Sequence, residues 1–141
     1  MQIPEFITHE DVMFFETDCA GVVNNIAYLR MIETCRTHLG ASMGMNLKEM
    51  ANNRLFPAVV RTEIDYRIPA VLGDRVKILG KLDKLGRARF WCSFVMTRDT
   101  DDKVLVTCRQ SLALVQMSSD QEGRPTRIPQ EWHQQWAKAL T

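Results

Sequence analysis

The sequence predicts an α+β fold in which a curved antiparallel sheet wraps around one long central helix. Three observations carry this expectation. Residues 26–39 repeat apolar side chains with a helical period, residues 58–116 break into four extended stretches divided by short turns, and a single long amphipathic helix is the only large element available to cover their apolar face. At 141 residues the chain is long enough for one domain with a real core and too short for two comfortable ones, so 1–141 is expected to be a single domain.

In order, residues 5–15 hold apolar and polar side chains in rough alternation without a glycine, which suits a strand. The turn Asp18-Cys19-Ala20-Gly21 follows, placing a carboxylate just before a glycine that can take a positive φ, and Asn24 and Asn25 then offer capping side chains to the helix. Along that helix Tyr28, Leu29, Met31, Ile32, Cys35 and Leu39 fall on one arc, with Arg30, Thr34, Thr37 and His38 opposite. One face is expected to be buried. Gly40 is the expected C-cap, and residues 41–54 are expected to be a connection with a short helical turn around Leu47-Lys48-Glu49-Met50.

Strands are then expected at 58–68, 74–82, 87–98 and 103–116, separated by residues 69–73, by Gly86 and by the polar turn Asp99-Thr100-Asp101-Asp102. In the third, Ala88, Phe90, Cys92, Phe94 and Met96 alternate with Arg87, Arg89, Trp91, Ser93 and Val95, giving one apolar face and one mixed face. The short connections favour antiparallel pairing of successive strands. Residues 118–129 read as a polar, proline-containing tail, and residues 130–140 as a terminal helix carrying Trp132 and Trp136 at i and i+4.

Composition narrows the function. Charged residues make up 25% and the formal net charge is +1, so neither a nucleic-acid groove nor an anionic membrane surface is expected as partner. Apolar runs are only a few residues long and the amino terminus begins with an acid, so no membrane span and no signal peptide are expected. Cys19, Cys35, Cys92 and Cys108 are scattered without a Cys-x-x-Cys pair, which reads as reduced thiols in a cytoplasmic protein. His9, His38 and His133 show no ligand spacing, so no metal is expected, and no Gly-x-Ser-x-Gly elbow offers a serine nucleophile.

What stands out is an acid beside a helix N-terminus, whose unpartnered N–H groups and positive dipole end suit a developing oxyanion. A carbonyl substrate held there faces both. Taken alone, Asp18 also reads as a turn or capping residue, and Asn24 and Asn25 as caps. Glu33 precedes Arg36 by three, the spacing of an ion pair, which leaves it a reserve carboxylate; Glu63 reads as a solvated or interface residue. Cys19 has no histidine near it in sequence and reads as a turn residue. Arg87 and Arg89 share one strand face, with Lys84 just before them, and suit either phosphate or solvent.

The motif Asp18-x-x-Gly21-x-Val23-Asn24-Asn25-x-x-Tyr28-Leu29, followed by Glu33-x-x-Arg36, resembles the signature of hotdog-fold acyl-CoA thioesterases of the 4-hydroxybenzoyl-CoA thioesterase-like branch. The run Val60-Arg61-Thr62-Glu63-Ile64-Asp65-Tyr66-Arg67-Ile68-Pro69, then Gly73-Asp74, looks like that family's second strand and its turn. The resemblance implies a hotdog fold and a homodimer joined edge to edge, often paired into a tetramer, with active sites at the dimer interface. It implies Asp18 as the catalytic carboxylate, the Asn25 N–H as the group polarising the thioester carbonyl, and Gly21, Asn24 and Tyr28 at the substrate site. It also puts coenzyme A phosphates near Arg87 and Arg89, with coenzyme A entering only as part of the substrate and no other cofactor.

Many members carry an aromatic residue and histidine where Asn24 and Asn25 stand; the Asn pair is closer to plant-type acyl-carrier-protein thioesterases, so the carrier stays open between the two. A dehydratase is disfavoured because the Asp18 motif contains no histidine to pair with the acid. A non-catalytic acyl-thioester binding module is the alternative of another class. The expected reaction suits one carboxylate, because a thiol with a pKa near ~8.5 departs as thiolate with little acid help. Direct attack by Asp18 and activation of a water by Asp18 are both open.

Overall fold

Period-two alternation builds the sheet in the computed structural model, which describes residues 2–120 and 122–140. Strands β1 (Glu5–Asp11), β2 (Leu55–Tyr66), β3 (Arg75–Leu85), β4 (Arg89–Arg98), β5 (Val104–Met117) and β6 (Gly123–Thr126) pair antiparallel in the order β1-β3-β4-β5-β2, with β6 also on β5. On β4 the expected inward residues Phe90, Cys92, Phe94 and Met96 are buried. Helix α1 (Asn25–Ser42) turns Ala27, Tyr28, Met31, Ile32, Cys35 and Leu39 into a core shared with Val76, Ile78 and Leu82 of β3. The expected α+β architecture of one long helix on an antiparallel sheet is the one observed. Helices α2 (Leu47–Asn53) and α3 (Gln130–Trp136) are short, and Trp132 of α3 packs edge-on against Phe90 with ring centroids 5.3 Å apart.

Several local expectations are corrected by the tertiary structure. Strand β1 ends at Asp11 rather than at residue 15, because Glu16 Oε1 accepts the Met13 N–H at 3.0 Å and closes a 3-10 turn over Phe14–Glu16. Gly40 lies inside α1; the left-handed residue that ends the helix is Gly44, at φ +93°, just after the C-cap Met43. Leu29 is 38% exposed, since the buried arc runs through Ala27 instead. The tail expected over 118–129, which includes Gln121 outside the described residues, contains β6; its backbone pairs Leu114↔Thr126 to Met117↔Gly123. Proline is tolerated there because β6 is a sheet edge.

The largest correction concerns strand order. β2 and β3 follow each other in sequence yet do not pair: β2 lies on β5, and residues 67–74 carry the chain across the α1 N-terminus to β3. That crossing is fastened at Ala70, whose carbonyl accepts the Val23 N–H at 2.9 Å and whose N–H donates to the Tyr28 hydroxyl at 2.9 Å.

Helix and sheet approach closely at Gly80, where a Cβ would stand 2.9 Å from Cys35 Sγ and 2.9 Å from Phe94 Cε1. Gly80→Ala is therefore expected to cost about 1–3 kcal/mol through overpacking. Urea unfolding should show a lower midpoint with an unchanged slope. An unaltered midpoint would mean that α1 yields without cost.

Candidate active site

A small hairpin carries Asp18. Glu16 O accepts the Asn24 N–H at 2.9 Å, Thr17 and Val23 form a β-bridge, the Asp18 N–H donates to Val22 O at 2.9 Å, and the Gly21 N–H donates to Asp18 O at 3.0 Å. Gly21 takes φ +78°, the left-handed conformation that lets the turn close. Within it Asp18 Oδ1 accepts the Ala20 N–H at 2.9 Å and the Val22 N–H at 3.4 Å, while Oδ2 has no hydrogen-bond partner among the described residues. One oxygen holds the side chain in place and the other is available.

The hairpin delivers the chain into α1 through Asn24, an extended N-cap residue at φ −75° and ψ 157°. Its Oδ1 accepts the Ala27 N–H at 3.0 Å and its Nδ2 donates to Glu16 O at 3.0 Å, so both ends of the amide are engaged in capping. The N–H groups of Asn25 and Ile26 are left without acceptors among the described residues. They form the positive end of an 18-residue helix.

Asp18, Asn24, Asn25 and Tyr28 line one cleft of about 400 Å³ together with Tyr66, Arg67, Ile68 and Pro69. Its far wall is the crossing segment, held by Leu72 N–H to Gly21 O at 3.0 Å and by Arg98, which reaches Pro69 O at 3.3 Å and Asp74 Oδ2 at 3.1 Å. Tyr28 is buried and packs tilted against Tyr66, and that burial pushes its hydroxyl above the usual phenol range. It stays a neutral phenol. Asp18, Asn24 and Asn25 remain exposed, so the cleft is open on one side.

Other candidate residues from the sequence lie elsewhere. Gly21 shapes the turn without lining the cleft. Arg89 pairs with Ala113 on β5 whereas Tyr66, at the cleft, pairs with Val106, so they are roughly 23 Å apart along the strand at ~3.3 Å per residue. Arg87, exposed in the turn before β4, shares that far end. Glu33 sits 3.7 Å from Arg36 and borders a separate groove of about 190 Å³ lined by Met43, Met50, Phe56 and Phe90. Arg36 is largely buried there and donates to Gln110 Oε1 at 2.6 Å. Glu63 pairs with Arg61 at 2.9 Å.

Cys35, Cys92 and Cys108 are buried, and burial pushes Cys92 up to about 12 and Cys108 up to about 11, so these thiols are not thiolate nucleophiles at neutral pH. Cys19 is exposed in the turn. Among the described residues no group of three or more His, Cys, Asp or Glu side chains could hold a metal ion, and no helix is long and apolar enough to cross a membrane.

Reading the sequence missed Tyr66 and Arg67 as cleft residues, and it missed Glu16. The signal for the first two was an aromatic and a cation at the end of a strand just ahead of Pro69; for Glu16 it was an acid two residues before Asp18 at the end of an apolar run. Chemically, Asp18 and Asn25 bring to this one cleft a carboxylate oxygen and a helix-end N–H that have no partners among the described residues, a combination suited to a carbonyl group.

Residues 12–136 match the thioesterase-like superfamily. Over 125 residues the chain is 28% identical to a 1,4-dihydroxy-2-naphthoyl-CoA hydrolase of Synechococcus elongatus, an alignment that covers 87% of this chain and 90% of that one. Among solved structures, the 4-hydroxybenzoyl-CoA thioesterase of Pseudomonas superposes with a TM-score of 0.83 at 14% identity, covering 93% of this chain and 98% of that one. A 1,4-dihydroxy-2-naphthoyl-CoA thioesterase from Synechocystis gives a TM-score of 0.76 at 21% identity, covering 96% and 95%. These likenesses show a shared fold, the hotdog arrangement.

Proposed function

The chain belongs to the thioesterase-like superfamily, hydrolases of thioester bonds, and we propose that it releases free acid and thiol from an acyl- or aroyl-CoA thioester bound in the cleft beside Asp18. One observation carries this reading: Asp18, whose Oδ2 has no partner among the described residues, and Asn25, whose first-turn N–H has none, line the same cleft. A thioester carbonyl whose oxygen accepts the Asn25 N–H is polarised there, and negative charge developing on that oxygen is met by a donor already in place. Asp18 Oδ2 then either attacks the carbonyl carbon, giving a mixed anhydride that water opens, or takes a proton from an attacking water. Either route expels a thiolate that needs no strong acid.

A hydrolysis screen over short, long, branched and aromatic acyl-CoAs, with matched carrier-protein thioesters and read by thiol release, tests the reading. Turnover of CoA thioesters is expected. Turnover confined to carrier-protein thioesters would move the carrier, and tight binding without turnover of any thioester would sink the hydrolase. Asn24, which with Asn25 prompted the carrier-protein alternative, is engaged in capping, a role neutral to the carrier.

The reading includes a homodimer. β2 pairs with β5 on one side and with nothing described on the other, and it exposes Phe56, Val59, Val60 and Tyr66. An open edge on a strand of 12 residues, with these large apolar side chains exposed, calls for a partner strand. Antiparallel pairing with the same edge of a second copy sets the Tyr66 end of one chain against the Phe56 end of the other. In that arrangement the partner's far-end arginines come to this cleft, the role in which Arg87 and Arg89 would meet the phosphates of coenzyme A. Arg87→Ala is then expected to raise KM for acyl-CoA more than it lowers kcat, since the contact is equal in ground and transition states. An unchanged KM removes Arg87 from the site.

A further inference from the structure

Glu16 is a charged residue that the fold buries, 3% exposed, and no step above uses its carboxylate. All its acceptor groups are engaged. Oε1 accepts the Met13 N–H at 3.0 Å, and Oε2 accepts Arg30 Nη2 at 2.7 Å and Nε at 3.3 Å. Its main-chain oxygen takes two more bonds, from the N–H of Asn24 at 2.9 Å and from Asn24 Nδ2 at 3.0 Å. A single residue therefore grips the second turn of α1 with its side chain and the cap of α1 with its backbone.

The hairpin that carries Asp18 springs from this residue. Asp18 lies two residues beyond Glu16, about 6.6 Å of extended chain, so a tilt of roughly 10° at the base would move the carboxylate by about 1 Å relative to the Asn25 N–H. Displacements of that size cost on the order of a hundredfold in rate when reacting groups must meet in one geometry. An apolar side chain in place of Glu16 would fill the space but would not set the tilt. The planar guanidinium of Arg30, bound through Nε and Nη2 to one carboxylate oxygen, restrains angle as well as distance.

We propose that Glu16, held by Arg30, is a positioning residue that sets the separation between the Asp18 carboxylate and the first-turn N–H groups of α1. Its kinetic consequence rests on the thioesterase reading; its structural consequence does not. Arg30 also binds Glu10 on β1, Nη2 to Oε1 at 2.7 Å, which supplies an internal control: that contact docks β1 on α1 without touching the hairpin.

Arg30→Met keeps the stem and removes the fork. It is expected to lower kcat by about 10- to 100-fold with KM within about threefold, and to displace the backbone amide resonances of Gly21 and Asn25 in the folded protein. Arg30→Lys should recover part of kcat, because an ammonium reaches Glu16 without fixing the angle. Glu10→Gln should leave kcat within about twofold of wild type. Should Arg30→Met fail to fold, Glu16→Gln, which keeps the size and loses the charge, is expected to give the same two signatures. Wild-type kcat in a folded Arg30→Met protein overturns the proposal, and so does an equal loss of kcat in Glu10→Gln, which would trace the effect to β1 docking. If the wild-type protein hydrolyses no thioester, the thioesterase reading fails alone; unmoved Gly21 and Asn25 amides in Arg30→Met would then overturn the positioning role itself.

Discussion

Asp18→Asn is expected to leave the fold intact and to lower kcat by at least about a hundredfold, the lower range for losing a general base, and by more if the carboxylate is the nucleophile. The hydrogen bonds in the turn explain why the two effects separate. Only Oδ1 serves the hairpin, accepting the Ala20 and Val22 N–H groups, and an asparagine carbonyl can accept both in the same place. The new Nδ2 falls where Oδ2 stood, on the side without a partner, so no donor or acceptor in the hairpin is orphaned. Substrate should still bind, because the α1 N-terminus and the cleft walls are untouched. A residue that merely shaped the turn would behave otherwise, losing a few tenths of a kcal/mol in stability with turnover nearly unchanged. Measuring kcat and the thermal midpoint on one preparation decides between the two. Near-wild-type kcat in a folded protein would rule out Asp18 and turn attention to Glu33.

A charged side chain on the open edge of β2 is expected to produce an inactive monomer. Val60 is the position to change, because the ladder to β5 shifts register between Val59 and Arg61 and leaves Val60 out of the pairing, so no ladder pair inside one chain depends on it. It is 45% exposed, and a lysine there obstructs strand addition in the way natural edges do. Val60→Lys should sediment as a monomer with the far-ultraviolet signal of the native sheet and helix. Its kcat/KM should fall by on the order of a hundredfold or more, since Asp18, Asn24 and Asn25 are exposed in the single chain and, on the proposed homodimer, cover and cations would come from the partner. A Val60→Lys monomer with full activity would show that the cleft is complete within one chain. A dimer that survives the substitution would move the interface away from β2.

How much was legible in the sequence follows from the range over which each signal acts. The buried arc of α1 apart from the exchange of Leu29 for Ala27, the alternation on β4, the turn at Asp18-Cys19-Ala20-Gly21 and the cap at Asn24 are decided by residues within a few positions of one another, and these were readable. Boundaries were less so: Gly40 has the composition of a cap, but the chain turns left-handed only at Gly44, after Leu39 and Met43 have been buried in the core. The cleft was half legible. Asp18, Asn24, Asn25 and Tyr28 lie within one short motif, whereas Tyr66 and Pro69 reach them only because residues 67–74 cross the helix end.

By itself, then, the sequence determined the class of fold, the face that α1 buries, and the placing of an acid beside a helix N-terminus, because local backbone preference and apolar period specify each of these without reference to distant residues. Tertiary structure alone decided that β2 lies on β5 rather than β3, that Glu16 is buried against Arg30, and that Arg87 and Arg89 stand at the opposite end of the sheet from the cleft. Those outcomes depend on contacts between residues far apart in the chain. They are settled by which apolar faces can be covered together and which buried polar groups can find partners, and no short window of sequence carries that information.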